Sequence, residues 1–331
     1  RNHSSAASDV YKRQTNHNQF NSNSGTIVKN AMVSSAHPLA SAIGIDIMNN
    51  GGNAIDAAIA THFALTVVYP QAGNIGGGGF AVIRMNDGTI NSLDFREKAP
   101  ALAHRDMYLN AEGQLNDLQS THGHMASGVP GSVDGMFTLH QKYGTLPMFE
   151  LIEPSVEMAR RGYVLTPLAA ELLNTKQEEF QTYNRWSTPY HSDENWQAGD
   201  TITQPDLAQT LEHIQSNGRN GFYEGIVADQ IVAEIQSGNG LISLADLKNY
   251  QSVWRKPITG NYRGHQIISM APPSSGGIAL IQLLRGTEGY PIADWGHNSL
   301  RNVHLMAELE RRVYADPVSY THLRAHETSE N

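Results

Sequence analysis

The chain has 331 residues, no cysteine, 17% charged residues and a formal net charge of −9. Without cysteine, disulfides, thiolate-bound zinc and thiol catalysis are excluded. The acidic balance and the lack of a basic run argue against a general nucleic-acid binder, which needs clustered Lys and Arg to neutralise phosphate. No apolar run is long enough to span a bilayer, no secretory leader is visible, and the length allows two ordinary domains or one large α/β domain.

The two ends read as foreign. Residues 4–14 (SSAASDVYKRQ) and 317–330 (PVSYTHLRAHETSE) are similar to translated sequencing-adapter read-through, which predicts a natural polypeptide cut short at both ends. The organisation expected is a foreign or disordered tail over 1–25, a folded region over 26–316 and a foreign tail over 317–331. His322 and His326 have helical metal-ligand spacing but lie in that last tail, so they carry no weight.

Within the folded region, residues 38–49 predict a helix with Leu39, Ile43 and Ile47 on one stripe and Gly51-Gly52 as its stop. A second helix runs from Asn53 to Val68. Its small residues suggest burial against other backbone, and Pro70 ends it. The run Gly76–Gly79 follows. Residues 80–85 and 89–95 then read as two strands around the turn Asn86-Asp87-Gly88. Helices are expected through Val133, Phe137 and Leu139, over 148–161, over 168–180, over 205–215, and from Asn220 through Val227, Ile231 and Ile235. Ser243-Leu244-Ala245-Asp246 has the capping-box form. Residues 253–262 and 265–270 read as strands, Pro272–Gly277 as a second glycine-bearing loop, and 299–315 as the last helix, with Val303, Met306, Leu309 and Val313 on its apolar face. This order is α+β, not alternating βα units.

Four kinds of chemistry are worth weighing. A phosphate loop follows a strand and opens a helix; the glycine run here has a helix before it and a strand after it, with no Gly-Lys-Ser/Thr. His122-Gly123-His124 with Asp134 is too weak for a metal site, and surface or structural histidines explain it better. No Gly-x-Ser-x-Gly elbow supports a serine triad. Arg96 remains. It follows a strand, comes near the glycine run in sequence, and is flanked by Asp94, Glu97 and Lys98, which could orient it. Its planar fork suits a carboxylate, and a structural salt bridge is the other reading.

The segments 34–40 (SSAHPLA), 51–58 (GGNAIDAA), 70–80 (PQAGNIGGGGF), 94–100 (DFREKAP), 128–131 (GVPG) and 271–277 (APPSSGG) together resemble the γ-glutamyltranspeptidases, or glutathione hydrolases, from about residue 26 to 316. The resemblance implies an N-terminal-nucleophile hydrolase fold, an α-β-β-α sandwich that is incomplete here because the small-subunit part is missing. It implies a zymogen that cleaves itself into a large and a small subunit. The new N-terminal threonine of the small subunit attacks γ-glutamyl amides such as glutathione, and water or an amino-acid acceptor takes the γ-glutamyl group. No metal or cofactor is implied. Arg96 is the residue that inherits a role, gripping the donor's α-carboxylate.

The chain stops in the helix ending near Asp316, so the nucleophile is expected beyond it and the fragment alone is expected to be inactive. Thr321 and Thr328, in the suspect tail, are not that nucleophile. A periplasmic or secreted location goes with the family. The alternatives are a cephalosporin acylase-like relative and a non-enzymatic amino-acid-binding protein that uses Arg96.

Overall fold

The computed structural model describes residues 27–184 and 186–315. The terminal tails, with His322, His326, Thr321 and Thr328, lie outside the described residues.

Helix α1 (Pro38–Asn49) starts on a proline, whose missing N–H costs nothing there, while His37 Nδ1 accepts from Leu39 N at 3.2 Å. Helix α2 (Ala54–Val68) opens on a full capping box. The Asn53 side chain takes the N–H groups of Ile55 and Asp56, and the Asp56 carboxylate takes that of Asn53. The glycine run leads into strands β1 (Phe80–Arg84) and β2 (Ile90–Asp94), which pair antiparallel with Phe80 opposite Asp94 and Arg84 opposite Ile90. Gly88 closes their turn at φ 88°, a conformation that favours glycine.

A short helix, α3 (Asp117–Thr121), precedes a helical block: α4 (Ser132–Tyr143), α5 (Met148–Arg161), α6 (Pro167–Thr175), α7 (Gln177–Tyr183), α8 (Pro205–Asn217), α9 (Asn220–Tyr223), α10 (Ile226–Ser237) and α11 (Leu244–Asn249). Strands β3 (Tyr163–Val164) and β4 (Thr201–Ile202) make a small ladder inside it. The chain ends with β5 (Val253–Arg255), the hairpin β6 (Ile258–Tyr262) and β7 (His265–Ser269), and helices α12 (Gly276–Thr287) and α13 (Leu300–Val313).

Three expected elements come out divided. The helix over 168–180 breaks at Lys176, whose φ −107°, ψ 1° leave the helical region, and the Gln177 side chain caps the Leu173 carbonyl at 2.9 Å. The helix from Asn220 breaks at Gly225, at φ 72°. The strand over 253–262 breaks at Pro257, which has no N–H for a ladder, so β5 joins β2 while β6 joins β7.

The chain forms two compact units. One comprises the residues up to Gly78 together with Arg96–Gln251, and the other Gly79–Phe95 together with the residues from Ser252 on. The first is built around α2, whose Ile59, Phe63 and Val67 are completely buried, as are Leu151 and Ile152 of α5 and Leu211 and Ile214 of α8. Gly44 lets α1 approach closely, since a Cβ there would lie 2.4 Å from Thr61 Oγ1.

Asp56 also ties α2 to the turn after α4, accepting from Thr145 N at 3.0 Å, from Leu146 N and from the Thr145 hydroxyl. Burial alone would raise its pKa, but the hydrogen bonds from Thr145, Asn53 and Leu146 together outweigh burial and hold the carboxyl below its ordinary range. His62, on the same helix with its Nε2 shut off from water, is pushed down to about 4 by burial and stays neutral.

In the second unit the sheet order is β1-β2-β5. Helix α12 packs on the β6–β7 hairpin where Gly260 leaves room for Ile281, a Cβ there falling 3.0 Å from Ile281 Cγ2. Gly277 lies under the Met270 carbonyl, 2.4 Å from where its own Cβ would be, so the second glycine loop serves close packing.

Candidate functional site

The segment after β2 is shaped by backbone pairing. Lys98 and Val129 exchange both N–H···O bonds, at 3.1 and 2.8 Å. Two residues further on, Gly131 N and Ser132 N both donate to the Gly77 carbonyl at 2.7 and 3.0 Å, so the glycine run terminates the free N–H groups at the start of α4. A side chain at Gly77 would lie 2.7 Å from Asn74 Oδ1 and 3.3 Å from Glu97 Oε1, and one at Gly128 would lie 3.0 Å from Glu97 Cβ. Glu97 therefore fills the space that the glycines leave. Gly76 is open, with only Asn74 Oδ1 within reach, at 3.8 Å.

Arg96 is exposed, and its carbonyl accepts from the Tyr250 hydroxyl at 2.7 Å. Of the charges that flank it, Lys98 donates to the Gln251 carbonyl at 2.8 Å and stands 4.9 Å from the Tyr250 ring centroid. Asp94, within the other unit, is paired with Arg255 Nε at 2.8 Å, an ion pair that pins β5 to the end of β2. Behind Tyr250, the Tyr223 ring stacks at 5.9 Å and 10°. The Tyr223 hydroxyl donates to the Pro130 carbonyl at 2.9 Å and accepts from Asp134 N at 3.2 Å; burial pushes its pKa upward, so it stays a hydroxyl. Arg219 lies 4.3 Å from the Tyr223 centroid, pairs with Asp134 and donates to the Tyr250 carbonyl.

Beside this frame, within the same unit, a cavity of about 380 Å³ is lined by Ile75, Gly76, Gly128, Pro130, Phe222 and Ile231, among others. It is an apolar cleft whose rim includes two of the glycines.

The weaker motifs go to separate partners. His124 bonds Glu234 at 3.0 Å, His122 bonds Thr121, and Asp134 takes Arg219. Among the described residues no three His, Asp or Glu side chains are grouped so as to hold a metal ion, and no helix is long and apolar enough to cross a membrane. Tyr250, Tyr223, Arg219 and Arg255 were not singled out in the sequence. Each meets its partner across a gap that no local pattern reports, 154 residues in the case of Tyr250 and Arg96.

A sequence model of the γ-glutamyltranspeptidases matches residues 40–328. The chain belongs to this family. It is 42% identical to the glutathione hydrolase proenzyme of Escherichia coli (strain K12) over 294 residues, 88% of this chain and 51% of the relative. It is 36% identical over 292 residues to the acylase ACY 1 proenzyme of Pseudomonas sp. (strain SE83), 86% of this chain and 52% of that one. The chain thus spans about half the length of the curated relatives it matches.

Its structure matches the crystal structure of Helicobacter pylori γ-glutamyltranspeptidase with a TM-score of 0.85 and 43% identity, covering 90% of this chain and 86% of that one. The fold is accordingly the α+β fold of N-terminal-nucleophile hydrolases. Within this family the ordered motifs 70–80 and 94–100 are the glycine run and the Arg96 segment described above.

Proposed function

We propose that this chain is the large-subunit part of a glutathione hydrolase type of enzyme. That enzyme would cleave γ-glutamyl amides such as glutathione and pass the γ-glutamyl group to water or an amino acid. The nucleophile in this reading is the N-terminal threonine of a small subunit cut from the same precursor, and the compartment is the periplasm or the cell exterior. The coverage of relatives supports the subunit assignment: half of each proenzyme, but 86% of one chain of the Helicobacter pylori enzyme.

The observation that carries the substrate class is the exposed residue Arg96 on a backbone held at its own carbonyl and at Lys98. In this reading Arg96 grips the donor's α-carboxylate through paired, charge-assisted hydrogen bonds. Binding energy from that remote group would orient the γ-carbonyl for attack. The chain's own contribution is thus recognition and alignment, and bond breaking belongs to the small subunit.

The test is Arg96→Ala in the full-length, matured protein. Each hydrogen bond to a charged group is worth about 1.5–3 kcal/mol, so kcat/KM for γ-glutamyl donors should fall roughly tenfold to several hundredfold. Arg96→Lys should recover only part, because it restores the charge without the fork. A donor without the α-carboxylate should lose little. Wild-type efficiency in Arg96→Ala, or equal losses on both donors, sinks the reading. A preference for acyl donors lacking the glutamyl carboxylate favours the acylase-like alternative.

A further inference from the structure

We infer that Tyr250 is a positioning residue for Arg96, an inference that rests on the reading of Arg96 as the carboxylate clamp. The Tyr250 hydroxyl donates to the Arg96 carbonyl at 2.7 Å. That bond restrains the peptide leaving residue 96, and with it the direction in which the Cα–Cβ bond projects the guanidinium. A second stitch lies two residues on, where Lys98 Nζ donates to the Gln251 carbonyl at 2.8 Å. Residues 96–98 are therefore fastened twice to residues 250–251, while the backbone of Lys98 is paired with Val129.

The anchor is itself held. Tyr223 stacks on Tyr250, and Lys98 lies 4.9 Å from the Tyr250 centroid. Tyr223 is tied to α4 through Pro130 and Asp134, and Arg219 joins Asp134 to the Tyr250 carbonyl. Arg96 is thus an exposed residue on a backbone referred to a buried polar and aromatic frame. A long side chain loses freedom when it closes on a carboxylate, and fixing its backbone beforehand removes part of that cost.

The experiment is Tyr250→Phe in the full-length, matured protein, which keeps the ring and removes the hydrogen bond. KM for a γ-glutamyl donor bearing the α-carboxylate should rise about two- to tenfold, with kcat changed less than about twofold and a donor lacking that carboxylate unaffected. Lys98→Met, at an exposed position, loosens the same ring and should give a smaller change with the same donor selectivity; it decides the matter if Tyr250→Phe does not fold.

Arg96→Ala measured alongside separates this inference from the reading beneath it. If Arg96→Ala discriminates between the donors while Tyr250→Phe and Lys98→Met do not, positioning is overturned and the clamp stands. Equal losses on both donors in Tyr250→Phe, or a lowered melting temperature without donor selectivity, make Tyr250 a structural residue only and overturn the inference. If Arg96→Ala itself fails to discriminate, the clamp falls, and the inference with it.

Discussion

Helices α2 and α13 differ in pattern and in fate, α2 being apolar nearly all round and α13 apolar on one face only. On α2, Ile59, Phe63 and Val67 have no exposed surface, and most residues of the helix are buried. On α13, Val313 is the one buried residue, Leu300 is 85% exposed and Val303 54% exposed, although Leu309 packs against Gly286. Periodicity tells which face of a helix is apolar; it does not tell what covers that face. The two helices differ in the same way in their charges. Helix α2 carries the buried Asp56 and a His62 whose Nε2 is shut off from water, whereas Glu308 and Arg311 on α13 form a surface pair.

The largest test of this contrast is truncation in the core. Phe63→Ala should cost about 3–5 kcal/mol, since it removes the transfer energy of a buried ring and leaves a cavity. Denaturant unfolding should register the loss, and amide exchange should show it through α2, α5 and α8. An effect below about 1 kcal/mol would mean that the helical unit is not the well-packed half.

Next is the Asp94–Arg255 pair in the sheet of the other unit. Asp94→Ala leaves Arg255 half-buried without this carboxylate and should cost about 1.5–3 kcal/mol. Exchange in β2 and β5 should rise while α2 stays protected. If protection falls uniformly, the division into two units has no energetic meaning.

A smaller difference should appear with pH. His62 is pushed from 6.5 down to about 4 in the folded protein, so the unfolded chain takes up a proton first. Its contribution is complete above about 6.5 and is lost as pH falls towards 4. Asp56, whose folded ionisation lies below 3.8, contributes above that value and loses its effect on further acidification. The helical unit should therefore weaken first between pH 6.5 and 4, and His62→Gln should flatten that slope. A melting temperature independent of pH over this range contradicts the assignment.

The smallest effect belongs to α13. Leu300→Ser and Val303→Ser should change stability by no more than about 0.5 kcal/mol, because both side chains are already largely in water. Binding of an apolar dye should nevertheless drop. A loss of stability comparable to that of Phe63→Ala would erase the contrast between the helices.

Much of this molecule was legible in its sequence because the governing interactions are local. The capping box at Ser243, the helix start at Asn53, the prolines opening α1 and α8, the Asn86-Asp87-Gly88 turn and the bounds of α1, α2 and α5 follow from bonds that close within a few residues. The family, too, was legible, since it rests on ordered motifs, and Arg96 stood out as a fork of donors after a strand. Tertiary structure alone decided the rest. It paired Asp94 with Arg255, gave Lys98 to Gln251, brought Tyr250 under the Arg96 carbonyl and spent Asp134 on Arg219. It also split the strand at Pro257 between two sheets and left Leu300 and Val303 of α13 in water. A charge or an aromatic ring finds its partner by three-dimensional proximity, and across 80 to 160 residues of chain no periodicity or propensity encodes that proximity.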